Sequence, residues 1–187
     1  MSIAPRQDLL LQLLEFFYPI HYKVGMALED RLGAGRISRK QVTMLWLIRS
    51  EGEQGRRLSR KRIEQLLSGW FEVSSSAITK SLRTMAQPSM GLVRLVEDPH
   101  SGREKQVWLT AKGERFVASM VDRGREFIGT FARHFTADEI EQAIAFFSRV
   151  ADFINGDSVK PFKARTGSAV DSPAADPRRG SATGRHG

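Results

Sequence analysis

The sequence predicts a mainly α-helical protein with a small β-hairpin. Three observations predict it. Apolar residues return at three- and four-residue spacing through most of residues 8–155, and Ser38, Ser59, Ser74, Thr110 and Thr136 stand in capping positions before such stretches. Two short β-rich runs flank the turn-forming segment from Asp98-Pro99 to Ser101-Gly102.

The first helix is read from Asp8 to about Leu32, carrying Leu10, Leu13, Leu14, Phe17, Val24 and Leu28 at helical spacing, with Pro19 placing a kink or break midway. Leu9, Leu11, Phe16 and Tyr18 make it apolar on nearly all sides, which calls for burial from more than one direction, a second copy of the chain included. Gln12 and Glu15 interrupt the apolar run and no small-residue cleavage site follows, so it reads as a helix of the folded protein, neither a leader nor a membrane span.

Ser38 opens a second helix through Val42, Leu45, Trp46 and Ile48 to Arg49, closed by Glu51 and Gly52 and followed by a polar turn to Arg57. Ser59 opens a third with Ile63, Leu66 and Leu67 on one face. Gly69 breaks it, and the chain crosses Trp70, Phe71, Glu72 and Val73 to reach Ser74, the cap of a fourth helix with Ala77, Ile78, Leu82 and Met85 facing inward. Two short helices joined by a tight turn make a helix-turn-helix pattern. Beyond Gln87-Pro88-Ser89, Leu92, Arg94 and Val96 alternate with their neighbours, and Val107 to Thr110 is the returning strand of a hairpin with a basic loop. Thr110 caps a long helix from Ala111 towards Phe135, and Thr136 with Glu139 forms a capping box ahead of Ile140, Ala143, Ile144, Phe147, Val150 and Ile154. From Gly156 onward Pro, Ser, Gly and Arg replace any apolar period, so residues 156–187 are expected to be a disordered basic tail.

The 187 residues include 29 basic and 21 acidic side chains, a net charge of +8. The excess is local: residues 1–55 carry +1, 56–115 carry +6, 116–156 carry −2 and 157–187 carry +3. A basic patch on a nearly neutral body is the footprint of a polyanion-binding protein. A hydrophobic fraction of 41% supports a packed core. The absence of cysteine excludes disulfides, thiolate metal sites, a Cys nucleophile and thiol-based redox sensing. His21, His100, His134 and His186 lack metal-ligand spacing, and Gly33-Ala34-Gly35 has no phosphate-binding context, so neither metal nor cofactor is expected. Asp98, His100 and Ser101 are the one hydrolase-like cluster. Neighbours on one loop do not converge as nucleophile, base and orienter must, so no enzymatic activity is expected.

Helix, helix, helix-turn-helix and hairpin, in that order, make a winged helix, whose second motif helix enters the DNA major groove while the hairpin reaches the backbone or minor groove. Residues 37–116 resemble the DNA-binding core of the MarR family of multiple-antibiotic-resistance regulators, and with the flanking helices the likeness spans about residues 8–155. Its most specific stretch runs from Asp98-Pro99 through Arg103 to Val107-Trp108-Leu109-Thr110-Ala111-Lys112-Gly113, similar to the family's wing with its closing Leu-Thr-x-x-Gly. Leu58 to Leu67 is similar to the first motif helix and Val73 to Met85 to the recognition helix. The turn from Gly69 to Glu72 is longer than is usual there, and Ser101 replaces the wing's second acidic residue.

The resemblance implies an N-terminal dimerisation helix (1–36), a winged helix-turn-helix (37–115) and C-terminal dimerisation helices (116–155). The function implied is sequence-specific binding of double-stranded DNA by a cytoplasmic, nucleoid-associated homodimer, a ligand-responsive repressor that reads a pseudo-palindromic operator through helix 74–86 and wing 92–109. On the recognition helix Ser75, Ser76, Thr79, Lys80 and Arg83 project outward. Ser74 takes the cap; Ser75 and Ser76 are short enough for phosphates or base edges, Thr79 suits a base edge or a thymine methyl, and Lys80 and Arg83 suit guanine or phosphate. For Arg83 a solvated helix face is an equal reading. Arg56, Arg57, Arg60, Lys61 and Arg62 are placed for phosphate contact. Arg103 is the wing's minor-groove arginine by resemblance, with a salt bridge to Asp98 as the other reading, and His100 and Lys105 are backbone contacts. The family's cleft for a small aromatic or anionic effector would be lined here by Phe17, His21, Met26 and Trp46, residues that packing would equally explain. A winged helix used as a protein-interaction module, its basic patch docking an acidic partner, is the alternative function.

Overall fold

The computed structural model describes residues 3–98 and 101–155, with side chains described for 7–98, 101 and 104–154. The chain begins with α1 (Ile3–Pro19), a π-helical turn (Ile20–Gly25) and α2 (Met26–Gly33). Pro19 offers no N–H, and its ring crowds the carbonyl four residues earlier. The hydrogen-bond ladder widens where the sequence predicts a kink or break: the Met26 amide donates to the His21 carbonyl, five residues back. α2 ends at Ala34, whose left-handed φ of 50° lets its amide donate to the carbonyls of Asp30 and Arg31 at 3.0 and 3.2 Å.

The next elements are α3 (Arg39–Glu51), β1 (Arg57–Ser59), α4 (Arg60–Ser68), α5 (Ser75–Ala86), β2 (Val93–Asp98), β3 (Ser101–Leu109), α6 (Ala111–Ala132) and α7 (Ala137–Asn155). The five capping residues all make their bonds. Ser38 and Gln41 form a reciprocal capping box, and Ser59, Ser74 and Thr110 accept from the amides of Arg62, Ala77 and Gly113. Thr136 and Glu139 form the second box, the Glu139 carboxylate accepting from the Thr136 amide at 2.8 Å and the Glu139 amide donating to the Thr136 hydroxyl at 3.3 Å.

The three antiparallel strands lie in the order β1-β3-β2. β1 lies just beyond a segment the sequence suggests is only a polar turn. Gln54 and Gly55 adopt positive φ, the Glu53 amide donates to the Arg57 carbonyl at 2.8 Å, and Leu58 is buried opposite Val107. Three residues are too few to display a period of two, and pairing with β3 supplies what local pattern cannot. β3 also begins earlier than its β-rich run, because Glu97 pairs with Lys105 and Asp98 with Ser101.

Leu45, Ile48, Ile63, Ile78, Leu82, Met85, Val107 and Met120 are buried together at the centre of the core. Each contributes roughly 1.5–3 kcal/mol by leaving water. Ala77, expected inward, is exposed: it lies in the first turn of α5, ahead of Ile78 where the helix first meets the core. α6 stops at Ala132, short of the expected Phe135. Thr110 locks α6 to the sheet, its hydroxyl donating to the Gly91 carbonyl at 2.6 Å, while Gly113 passes so near Leu92 that a Cβ there would overlap the Leu92 carbonyl. The Leu-Thr-x-x-Gly sequence is therefore a joint between wing and α6.

The chain divides into a unit ending at Ser148 and a second from Arg149, the described part of which is the end of α7. The segment expected to be a disordered tail, 156–187, lies outside the described residues.

Candidate nucleic-acid interface

The candidate interface is built on α5. Its core stripe, Ile78, Leu82 and Met85, fixes which residues face out, and Ser74 fixes where the helix begins by accepting from the Ala77 amide at 3.3 Å. Ser76 shares a hydrogen bond with the Ser74 hydroxyl at 3.0 Å. Thr79 donates its hydroxyl to the Ser75 carbonyl at 2.9 Å, which leaves the oxygen's lone pairs able to accept. Ser75 is held by Arg60 of α4, whose Nη1 donates to the Ser75 hydroxyl at 3.0 Å and to the Glu64 carboxylate at 2.9 Å. One arginine thus ties α4 to the first turn of α5.

Arg60, Thr79, Arg83 and Lys105 surround a hollow of about 140 Å³ together with Leu82 and Leu95. These four residues come from α4, α5 and β3, so the fold brings predicted contacts from three elements to one place. Lys61, Lys80, Arg83 and Lys105 are exposed and, among the described residues, have no carboxylate within ion-pair distance. Unpaired cations beside the open face of a capped helix attract phosphate without first having to break a bond.

Arg57 stands apart from this group. Its Nε donates to the Glu53 carboxylate at 2.6 Å, and its guanidinium lies 4.8 Å from the Trp108 ring centre. Arg94 approaches the same ring at 4.9 Å, as the strand register, Arg57 opposite Trp108 opposite Arg94, requires. Arg57 is thereby a sheet residue first, and Arg56 is paired with Glu114 at 3.4 Å. His100 and the Arg103 side chain, both expected on the wing, lie outside the described residues.

A second concavity, about 780 Å³, opens between α2, α3, α6 and the turn after α4. Trp46 lines it as expected, but Phe17, His21 and Met26 do not; Phe17 and His21 are exposed on α1 and the π turn. In their place the wall contains Leu28, Glu29, Trp70, Phe71, Arg125 and Ile128. Two glycines one and a half turns apart in α6, Gly124 and Gly129, were the available sequence signal for a hollow face. Burial raises the Glu29 carboxyl above its ordinary value, against the opposing pull of Arg39. Arg39 is committed elsewhere: it holds both Asp30 oxygens at 2.8 Å, and that hydrogen-bonded pairing lowers the Asp30 carboxyl. Among the described residues no three His, Asp or Glu side chains are grouped as a metal site would require, and no helix is long and apolar enough to cross a membrane.

Residues 37–113 match the winged helix DNA-binding domain family. A MarR family protein from Bacillus stearothermophilus superposes with a TM-score of 0.65 at 18% identity, over 78% of this chain and 95% of that one. The chain has the winged-helix fold of the MarR regulators. An E. coli MarR variant in complex with operator DNA gives a TM-score of 0.57 at 21% identity, covering 76% of this chain and 96% of its own. The YusO protein of Bacillus subtilis gives 0.54 at 17%, covering 81% and 99%. Comparison with curated proteins gave no match in sequence. The MarR fold accounts for the order seen here, a winged helix-turn-helix set between N- and C-terminal helices.

Proposed function

We propose that this chain is a MarR-family transcriptional regulator. A homodimer binds pseudo-palindromic duplex DNA, each copy inserting α5 into a major groove and laying its wing along the flanking backbone, and a small ligand relieves repression by changing the separation of the two α5 helices. The observation that carries the reading is the convergence of Arg60, Thr79, Arg83 and Lys105 on the outward face of a capped helix in a winged helix DNA-binding domain. The operator-bound MarR structure shares the fold and supports the same use of it.

On this reading α5 supplies sequence preference, Lys61 and Lys80 supply phosphate contact, and the Arg60 bridge holds the helix start at its pitch. Selection of bound duplexes from a random pool, followed by gel-shift titration against salt, tests it. A palindromic consensus is expected, with log affinity falling against log salt by roughly 0.9 per phosphate neutralised. Equal affinity for selected and random duplexes would sink the proposal.

A further inference from the structure

We propose that the cavity between α2, α3 and α6 takes an apolar ligand bearing one cationic centre, held by the Glu29 carboxylate and by the aromatic walls Trp46, Trp70 and Phe71. The inference rests on the ligand-responsive reading above and names the ligand's chemistry. At about 780 Å³ the hollow is of drug-sized capacity. Its wall is overwhelmingly hydrocarbon and aromatic, so charge selectivity falls to its two ionisable members, Glu29 and Arg125.

These two are not equivalent. The Arg125 side chain is 79% exposed and only 4.0 Å from Asp122, so its charge is solvated and already shared. Glu29 is half-buried, and among the described residues it has no hydrogen-bond or ion-pair partner. Three charged or titratable groups act on it at longer range: Arg39 and His21 favour its ionised form and Asp30 disfavours it, with Arg39 already paired to Asp30 through two bonds of 2.8 Å; Arg125 shares the cavity wall. Thr43, the other polar group of the wall named here, spends its hydroxyl proton on the Arg39 carbonyl at 3.0 Å. A carboxylate with no bonded partner among the described residues, sharing one cavity wall with indole and phenyl rings, suits an organic cation, whose charge the ring faces also attract. Trp46 already shows that capacity, with the Arg49 guanidinium 5.0 Å from its ring centre.

The cavity also touches the reading head. Trp70 and Phe71 lie just ahead of Ser74, whose bond to Ala77 starts α5. A ligand that binds one position of this turn more tightly than another therefore shifts the pitch of α5, and only that difference in affinity can do so.

Tetraphenylphosphonium and tetraphenylborate have nearly the same shape and opposite charge. Calorimetric titration of the full chain with each should show the cation binding about tenfold or more tightly, a preference lost in Glu29→Gln and kept in Arg125→Gln. Thermal melting of unliganded Glu29→Gln, expected at or above the wild-type temperature near neutral pH, guards against loss by unfolding. Equal affinity for the two ions, preference for the anion, no binding by either, or a preference that survives Glu29→Gln overturns the proposal. Retention of the selected duplex, measured in the same samples, separates the two readings: a bound cation that leaves retention unchanged removes ligand responsiveness while upholding the cavity's preference.

Discussion

Thr79 and Lys80 are adjacent on α5, and under the proposed function they act on DNA through different physics. Lys80 is an exposed point charge, so Lys80→Ala should weaken binding to every duplex alike and flatten the salt dependence by about one phosphate. Thr79→Val keeps the methyl and loses the hydroxyl; it should alter which base is preferred at one position of each half-site and leave the salt slope unchanged, as a gel-shift series on single-base variants will read. Glu29 and Asp30 form a second adjacent pair with opposite behaviour. Asp30 has a folded-state value lowered by Arg39, so its contribution to stability is present above its unfolded value, about pH 4, and is lost as pH falls through the lower folded value. Glu29 has a folded-state value raised by burial; its contribution is complete below its unfolded value and is lost as pH rises through the folded one. Melting curves from pH 3 to 7 should therefore show Asp30→Asn losing stability towards neutral pH and Glu29→Gln gaining it, with both differences fading in acid. The sequence could not distinguish these neighbours, since two acidic residues in one helix differ only in what tertiary packing places beside them. The capping residues were legible because a cap is a bond across three residues, complete before any long-range contact forms.

Elements were readable where their pattern exceeded one helical turn. The apolar stripes of α3, α4 and α5 each place side chains in the core, whereas β1 is too short to show a period and the π turn depends on a ladder spacing no residue pattern records. The α6 glycines show how far a single residue type can differ in meaning. A Cβ at Gly129 meets nothing within 4 Å, one at Gly124 comes 3.2 Å from Leu32 Cδ2, and one at Gly113 overlaps the Leu92 carbonyl. Gly129→Ala should accordingly raise stability by roughly 0.5–1 kcal/mol through the restricted unfolded chain and better helix propensity. Gly124→Ala should give less than this because Leu32 must yield, and Gly113→Ala should cost about 1–3 kcal/mol as α6 is pushed from the wing. Denaturant titration of the three variants gives the order directly; equal effects would mean that the joint between Thr110 and Leu92 is looser than its geometry.

At the scale of the whole molecule, the terminal helices leave a large apolar surface exposed. Leu9, Leu10, Leu11, Leu14, Phe16, Phe17 and Tyr18 on α1 are each more than half exposed, as are Ile144 and Phe147 on α7. Scattered exposed leucines need no explanation, but a helix exposing them on all sides is an interaction surface. The charge distribution agrees, since residues 116–156 carry −2 while the excess of cations lies at 56–115, so association of the terminal helices brings no concentration of like charge. Two-fold pairing also gives the single α5 of each chain a partner, which is what a palindromic site demands. Sedimentation of the wild-type chain should therefore report a dimer, and Phe17→Asp or Phe147→Asp should shift it towards monomer with helix content retained, because both side chains lie outside the core that closes around Ile63 and Met120. In a monomeric variant each half-site is bound alone: affinity for the full palindrome falls towards that for one half, and the salt slope drops by about half because half as many phosphates are neutralised per binding event. A variant that stays dimeric, or a monomer that binds the palindrome with the full slope, would place the dimer interface or the DNA contacts elsewhere on the chain.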